Sequence, residues 1–152
     1  MRLVDFLTSQ KIRFERLPHE PAFTSNRIAH LLRVRGTELA KSVLLRTGHG
    51  YVVAVLPASH WIDLFRVEGD LHEDYVGLAA ESDMAWLFPD CERGAMCPFG
   101  SLYDLPTLVD KSLATDADIV FEGQDHQEAI RMAFRDFLAV EHPQIGHFAR
   151  HN

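Results

Sequence analysis

The spacing of apolar and polar positions changes period several times along the chain, and each change marks an element. Leu3, Phe6 and Leu7 share one side of a short helix. Ile12, Phe14 and Leu17, set against Arg13, Glu15 and Arg16, predict a half-buried strand over 12–17 ended by Pro18. Thr24, Ser25 or Asn26 is placed to cap a helix whose apolar face is Ile28, Leu31 and Leu32, with Gly36 as its stop. The β-rich runs 42–45 and 51–56 flank Thr47-Gly48-His49-Gly50 and predict a hairpin. Trp61 to Phe65 has helical spacing, Tyr75 to Ala79 reads as a strand, and Glu81 to Leu87 is helical behind an acidic first turn. Residues 89–100 have no period, but Met96 and Phe99 among them predict an ordered loop. Short strands follow at 107–110 and 119–121. Ile130, Ala133, Phe134, Phe137 and Leu138 then predict, on spacing alone, a helix reaching to Pro143.

Strands interspersed with short helices, without regular alternation, predict an α+β fold: one domain over 1–152 with a central mixed sheet and short flanking helices. A chain of 152 residues suits one core, and 47% hydrophobic with 24% charged residues is ordinary globular composition. No apolar run approaches the ~18 residues of a membrane span. Met1 to Asp5 lacks an apolar leader and the two cysteines are too few to staple the domain, so a cytoplasmic location and no membrane partner are expected. The net charge is −7, yet residues 1–50 hold nine Lys and Arg against four acids. An acidic protein of this kind is unsuited to gripping long duplex DNA. Its basic front third is either a small phosphate-binding patch or a set of solvated faces.

Lys41 is one of three lysines beside twelve arginines, and it opens the apolar strand Val43-Leu44-Leu45. A partly desolvated ammonium there can hold a phosphate or polarise a carbonyl; a strand-end lysine reaching for water is the plainer reading. The nine histidines form no HxH or HExxH unit, and only His147 and His151 stand at i, i+4, in a tail expected to fray. Cys91 and Cys97 match no metal knuckle or redox pair, so no metal and no cofactor are expected. There is no GxSxG elbow, and Cys97 as a nucleophile would need a base that the sequence does not display.

Several segments in order carry a resemblance: Leu17-Pro18-His19-Glu20-Pro21-Ala22-Phe23-Thr24, Ala40-Lys41-Ser42-Val43-Leu44-Leu45-Arg46, Val53 to Ala58, the GxxxP motif from Gly94 to Pro98 with Phe99-Gly100, Leu108 to Leu113, and the stretch around Gly123, His126 and Phe137. From Phe14 to Phe148 the chain resembles the YbaK/EbsC group of aminoacyl-tRNA deacylases, related to the editing domain inserted in bacterial prolyl-tRNA synthetases. The resemblance implies a mixed α+β fold around a pocket for the aminoacylated 3′ end of tRNA. It implies Lys41, Gly94, Pro98 and His126 as catalytic-site residues, and Phe23, Thr24, Ser42, Ala95, Met96, Cys97 and Gly123 as pocket. Ser42 stands where some members have Asn or Thr. The resemblance also implies a strand near 128–132 leading into a helix from Phe134 to Glu141, and this reading is preferred to one long helix.

The implied activity is hydrolysis of mischarged tRNA carrying a small amino acid (Ala, Ser, Thr or Cys), with tRNA-Pro or a similar tRNA as partner and an aminoacyl-tRNA synthetase as a further candidate partner. Arg27, Arg33, Arg35 and Arg46 are the expected contacts to acceptor-stem phosphates. The rival readings are a non-catalytic tRNA or synthetase binder of the same fold, and a covalent enzyme using Cys97 or Lys41.

Overall fold

A computed structural model describes residues 2–22, 24–92 and 95–151. The predicted hairpin is its centre. Strands β2 (Ala40–Thr47) and β3 (Gly50–Pro57) pair antiparallel along their whole length. The reversal takes two residues, Gly48 and His49, because Gly50 adopts φ +137°, a conformation that L side chains resist. Strand β1 (Phe14–Pro18) precedes them, and β5 (Val76–Leu78), β6 (Thr107–Asp110) and β9 (Gln144–Gly146) complete a five-stranded sheet of order β5-β2-β3-β6-β9. The β5-β2 and β2-β3 pairs are antiparallel, whereas β3-β6 and β6-β9 are parallel, so the sheet is mixed as expected.

A second sheet, β1-β8-β7, is formed with β7 (Asp118–Glu122) and β8 (Glu128–Ala133). It joins the first through a bridge between Leu39 and Val120. The spacing from Ile130 on its own predicts one helix, but its first part is a strand: Ala129, Ile130 and Met132 are buried and β8 pairs with a strand on each side. Pairing with two neighbours overrides the local period. The helix α5 begins only at Phe134 and ends at Glu141, the boundaries that the family resemblance implied.

Among the described residues four further α-helices flank the sheets. Helix α1 is Leu3–Ser9 and α2 is Ser25–Leu32, capped by Thr24, whose hydroxyl accepts the Arg27 N–H at 3.2 Å. The chain leaves α2 at Arg33 in the left-handed region (φ 55°), so the stop comes before Gly36. The expected helix at Trp61 is split. Trp61–Ile62 forms β4 against β10 (Ala149–Arg150), and α3 (Leu64–Leu71) starts after Asp63, which accepts the N–H groups of Phe65 and Arg66. Helix α4 is Glu81–Leu87, with Asp83 accepting the Ala80 N–H.

Alternation on β2 divides the core into two layers. Ala40 and Leu44 point with Val53 and Val55 into the main cluster, which is filled by Phe99, Phe121 and Phe137. Phe99 meets Phe121 and Phe137 edge-on, with centroids 5.7 and 5.2 Å apart. Leu45 points the other way with Val52 and Leu56, toward Val67 of α3 and Phe148. No described helix is long and apolar enough to cross a membrane.

Candidate active site

Strand β2 is bonded on its outer edge at two separate places. Leu39 just before it meets Val120, and Leu45 to Thr47 meet β5. Between them, residues 41–43 have no strand on that side among the described residues. A cleft of about 400 Å3 lies here, lined by Ser42, by Ser82, Met84, Ala85 and Phe88 of the α4 region, and by Cys91, Glu92 and Met96 of the following loop. Its walls are largely apolar; Ser42, Glu81, Ser82 and Glu92 supply the polar groups.

Ser42 and Lys41 leave the strand on opposite faces. Ser42 stands opposite Val55 on the cleft side, while Lys41 stands opposite Leu56 on the side of Leu45. Lys41 is half-buried, and desolvation pushes its ammonium below the ordinary lysine value. On that face lie His60, whose ring stacks at 4.8 Å on His151, and Asp110. Burial, then the charges of His151 and Lys41, lower the His60 pKa, while Asp110 opposes them. Burial raises the Asp110 pKa, but bonds from the Ser112 hydroxyl and from the N–H groups of Ala149, Ser112 and Phe148 outweigh it and hold the carboxyl low. The tail expected to fray is thus held by β9, by β10 and by Asp110.

The loop after α4 rests on the β7-β8 turn. The Glu92 N–H donates to the Gln124 carbonyl (2.9 Å), and the His126 N–H donates to Glu92 Oε2 (3.2 Å). Gln124, at φ 78°, also accepts the Leu3 N–H (2.9 Å) and donates to the Tyr103 hydroxyl (2.7 Å). Gly123 closes the turn through its N–H to the Glu128 carbonyl. His126 is buried beside Glu122, which also meets His19. Burial foremost, with Asp125 and Glu92 adding to it against the pull of His126, pushes the Glu122 carboxyl up to about 8.

Of the sequence-predicted site residues, Ser42 and Met96 line the cleft, and His126 stands behind its loop wall. Ala95, Cys97 and Pro98 are buried, with Cys97 packed in the main core. Burial pushes the Cys97 thiol well up, the reverse of an activated nucleophile. Thr24 serves α2 as its cap. Phe23 and Gly94 lie outside the described residues. Arg27, Arg33, Arg35 and Arg46 are all exposed, but Arg35 is paired with Glu38 (2.8 Å) and Asp116 (3.0 Å). Arg46 lies far along β2 from α2, about 20 Å past Ala40, so the four do not form one compact patch.

The α4 side chains, Glu92, Glu122 and His19 were not singled out by sequence. His19 and Glu122 are 103 positions apart, and nothing in a linear pattern joins them. His19 does fall inside the His-Glu-Pro segment that carried the resemblance.

A family model of the aminoacyl-tRNA editing domain matches residues 19–140. The chain belongs to this family. Among solved structures, the editing domain is similar to the hypothetical protein APE2540, with TM-score 0.90 and 15% identity over 99% of this chain and 100% of that one. It is also similar to a proposed trans-editing enzyme for prolyl tRNA synthetase, with TM-score 0.81 and 16% identity over 95% and 92% of the two chains. A proposed signal transduction protein of Marinobacter aquaeolei gives TM-score 0.75 and 16% identity, over 96% of this chain and 30% of that one. At such identities these likenesses show the fold. No curated protein matches the chain significantly.

Proposed function

We propose that this editing domain is a trans-acting deacylase that hydrolyses the ester of tRNA mischarged with a small amino acid, of the Ala, Ser, Thr or Cys class, on tRNA-Pro or a similar tRNA. The observation that carries the reading is the open edge of β2: a half-buried ammonium and a small, largely apolar cleft sit on adjacent residues where the strand lacks a neighbour. Under this reading the 3′ end crosses that edge. Lys41 holds the terminal phosphate or the ester carbonyl, and the amino-acid side chain enters the cleft beside Ser42 and Met96.

Each step has a physical counterpart. An ammonium fixed in partly desolvated surroundings stabilises charge developing on the carbonyl oxygen more strongly than one in water. The α-ammonium of the substrate needs an anion, and Glu81 and Glu92 line the cleft. Main-chain groups of Gly94 to Pro98 orient the α-amino group and the attacking water, Gly123 and His126 support the pocket from behind its loop wall, and the substrate's own 2′-hydroxyl passes the proton to the leaving oxygen. Selection rests on volume, because one methylene in an apolar site is worth only ~1–3 kcal/mol and larger residues must be excluded outright. Arg27, Arg33 and Arg46 are exposed for acceptor-stem phosphates. Charged tRNA is present where translation runs, so the domain is placed in the cytoplasm. An aminoacyl-tRNA synthetase is a second candidate partner.

The second reading is a binder of tRNA or a synthetase without turnover. Half-burying an ammonium that has no ion-pair partner among the described residues is unfavourable, and a binding surface has no need of it, so Lys41 favours the enzyme. Deacylation assays on a panel of mischarged tRNAs test the proposal. Hydrolysis confined to small amino acids supports it, whereas binding of the panel without turnover selects the second reading.

A further inference from the structure

Behind the loop wall of the cleft, three titratable side chains gather that the deacylation scheme does not use as a group. His19 Nε2 stands 3.1 Å from Glu122 Oε1, and His126 Nδ1 stands 3.4 Å from Glu122 Oε2. Their side chains are 2%, 11% and 4% exposed for His19, Glu122 and His126. Among the described residues no group of three or more His, Cys, Asp and Glu has a geometry that would hold a metal ion.

The hydrogen bonds determine where protons must be. His19 Nδ1 lies 2.7 Å from the Glu20 carbonyl, which only accepts, so Nδ1 carries a hydrogen. On a neutral ring Nε2 is then bare, and its contact with Glu122 requires a hydrogen on the carboxyl. If Glu122 is instead a carboxylate, the hydrogen is on Nε2 and the ring is an imidazolium. Either way one proton lies between the two residues. Its loss would set two lone pairs against each other inside the fold.

We propose that His19 and Glu122 are positioning residues for the cleft: they hold one resident proton at neutral pH, and through His126 that proton keeps the β7-β8 turn in the shape on which the wall made by Glu92 and Met96 rests. The connection is short. The same turn supplies the Gln124 carbonyl to the Glu92 N–H and the His126 N–H to the Glu92 carboxylate. Among the described residues, the titratable groups facing Glu122 are His19 at the end of β1, His126 and Asp125 in the turn, and Glu92 in the loop. Two of these, Asp125 and Glu92, are acids, which favours keeping the proton.

The kinetic arm of the test rests on the deacylase reading; the spectroscopic arm does not. Infrared difference spectra of wild type against Glu122→Gln should show a protonated-carboxyl stretch at pH 7 that disappears as pH rises past about 8. In kinetics, Glu122→Ala should lower kcat by roughly 10- to 100-fold with little change in KM, the scale of a cleft wall displaced by up to about 1 Å. Glu122→Gln, whose amide can donate to His19 in place of the carboxyl, should recover most of that loss and should lack the wild-type activity loss near pH 8. Spectra at pH 7 that show neither a protonated Glu122 carboxyl nor a His19 imidazolium, or a Glu122→Gln profile that keeps the wild-type limb near pH 8, overturn the proposal. If Glu122→Ala does not fold, the Glu122→Gln spectra and profile still decide. If wild type turns over no substrate, the deacylase reading fails while the band remains the test of the resident proton.

Discussion

Strand β2 carries two cations whose surroundings could hardly differ more. Arg46 pairs across the sheet with Tyr51 on one side and Gly77 on the other, and its side chain is exposed. Among the described residues Lys41 has a strand neighbour on one side only, Leu56, and it is half-buried with its pKa lowered by desolvation. A cation in water on a fully paired strand is a solubility feature. A cation withdrawn from water at a gap in a sheet is unfavourable for the fold, and such sites are where chemistry is found. The sheet is thus complete where it is structural and interrupted where the candidate chemistry lies.

The contrast is broken most directly by exchanging the roles of the two cations. Lys41→Ala should lower kcat by about 100- to 1,000-fold, the scale of removing one charge-stabilising group, with no fall in the thermal midpoint at neutral pH. Arg46→Ala should leave kcat unchanged. Lys41→Arg should remain poor, since a planar guanidinium does not replace a compact ammonium in a confined site. Steady-state kinetics on one mischarged tRNA check all three, and equal losses at Lys41 and Arg46 would remove the distinction.

The cleft side of the same strand should answer differently. Glu92→Gln keeps an oxygen for the His126 N–H but removes the anion, so KM should rise about tenfold, or about 1.4 kcal/mol, with kcat nearly constant. A fall in kcat alone would place Glu92 at the reacting bond instead of the α-amino group.

Because desolvation lowers the Lys41 pKa, pH acts on stability and activity in opposite directions. Between the depressed folded value and the ordinary lysine value the unfolded chain binds the extra proton, so this group's contribution to stability rises with pH. Activity needs the charged form and should fall across the same window. Lys41→Ala should lose this contribution to the stability profile, as read by thermal melts across alkaline pH.

Smaller effects sharpen the picture. Cys97→Ala should keep turnover and cost about 1–2 kcal/mol of stability, because the thiol is core packing; loss of turnover would restore a covalent route. The Arg33→Ala/Arg35→Ala pair should weaken tRNA binding about equally for every attached amino acid and flatten its salt dependence only slightly, since Arg35 already has two carboxylate partners. Altered amino-acid choice would put these arginines at the pocket.

Much of this was legible in the chain. The hairpin, the α4 helix and β6 follow from periods and turn residues, because a two-residue reversal with glycine and a one-sided helix are local choices. The family resemblance rested on ordered short motifs, and it also corrected the Ile130 region. What stayed hidden depended on neighbours. β8 has apolar spacing compatible with a helix and became a strand because β1 and β7 flank it. The gap beside Lys41 exists because the bridge at Leu39 and the β5 pairing that begins at Leu45 leave the residues between them without a strand on that side among the described residues. The His19-Glu122-His126 group joins the end of β1 to a turn over a hundred residues away. Local period and motif determined the elements and the family; burial, strand pairing and shared protons are set only when distant segments meet, and those decided where the cleft lies and which side chains are withdrawn from water.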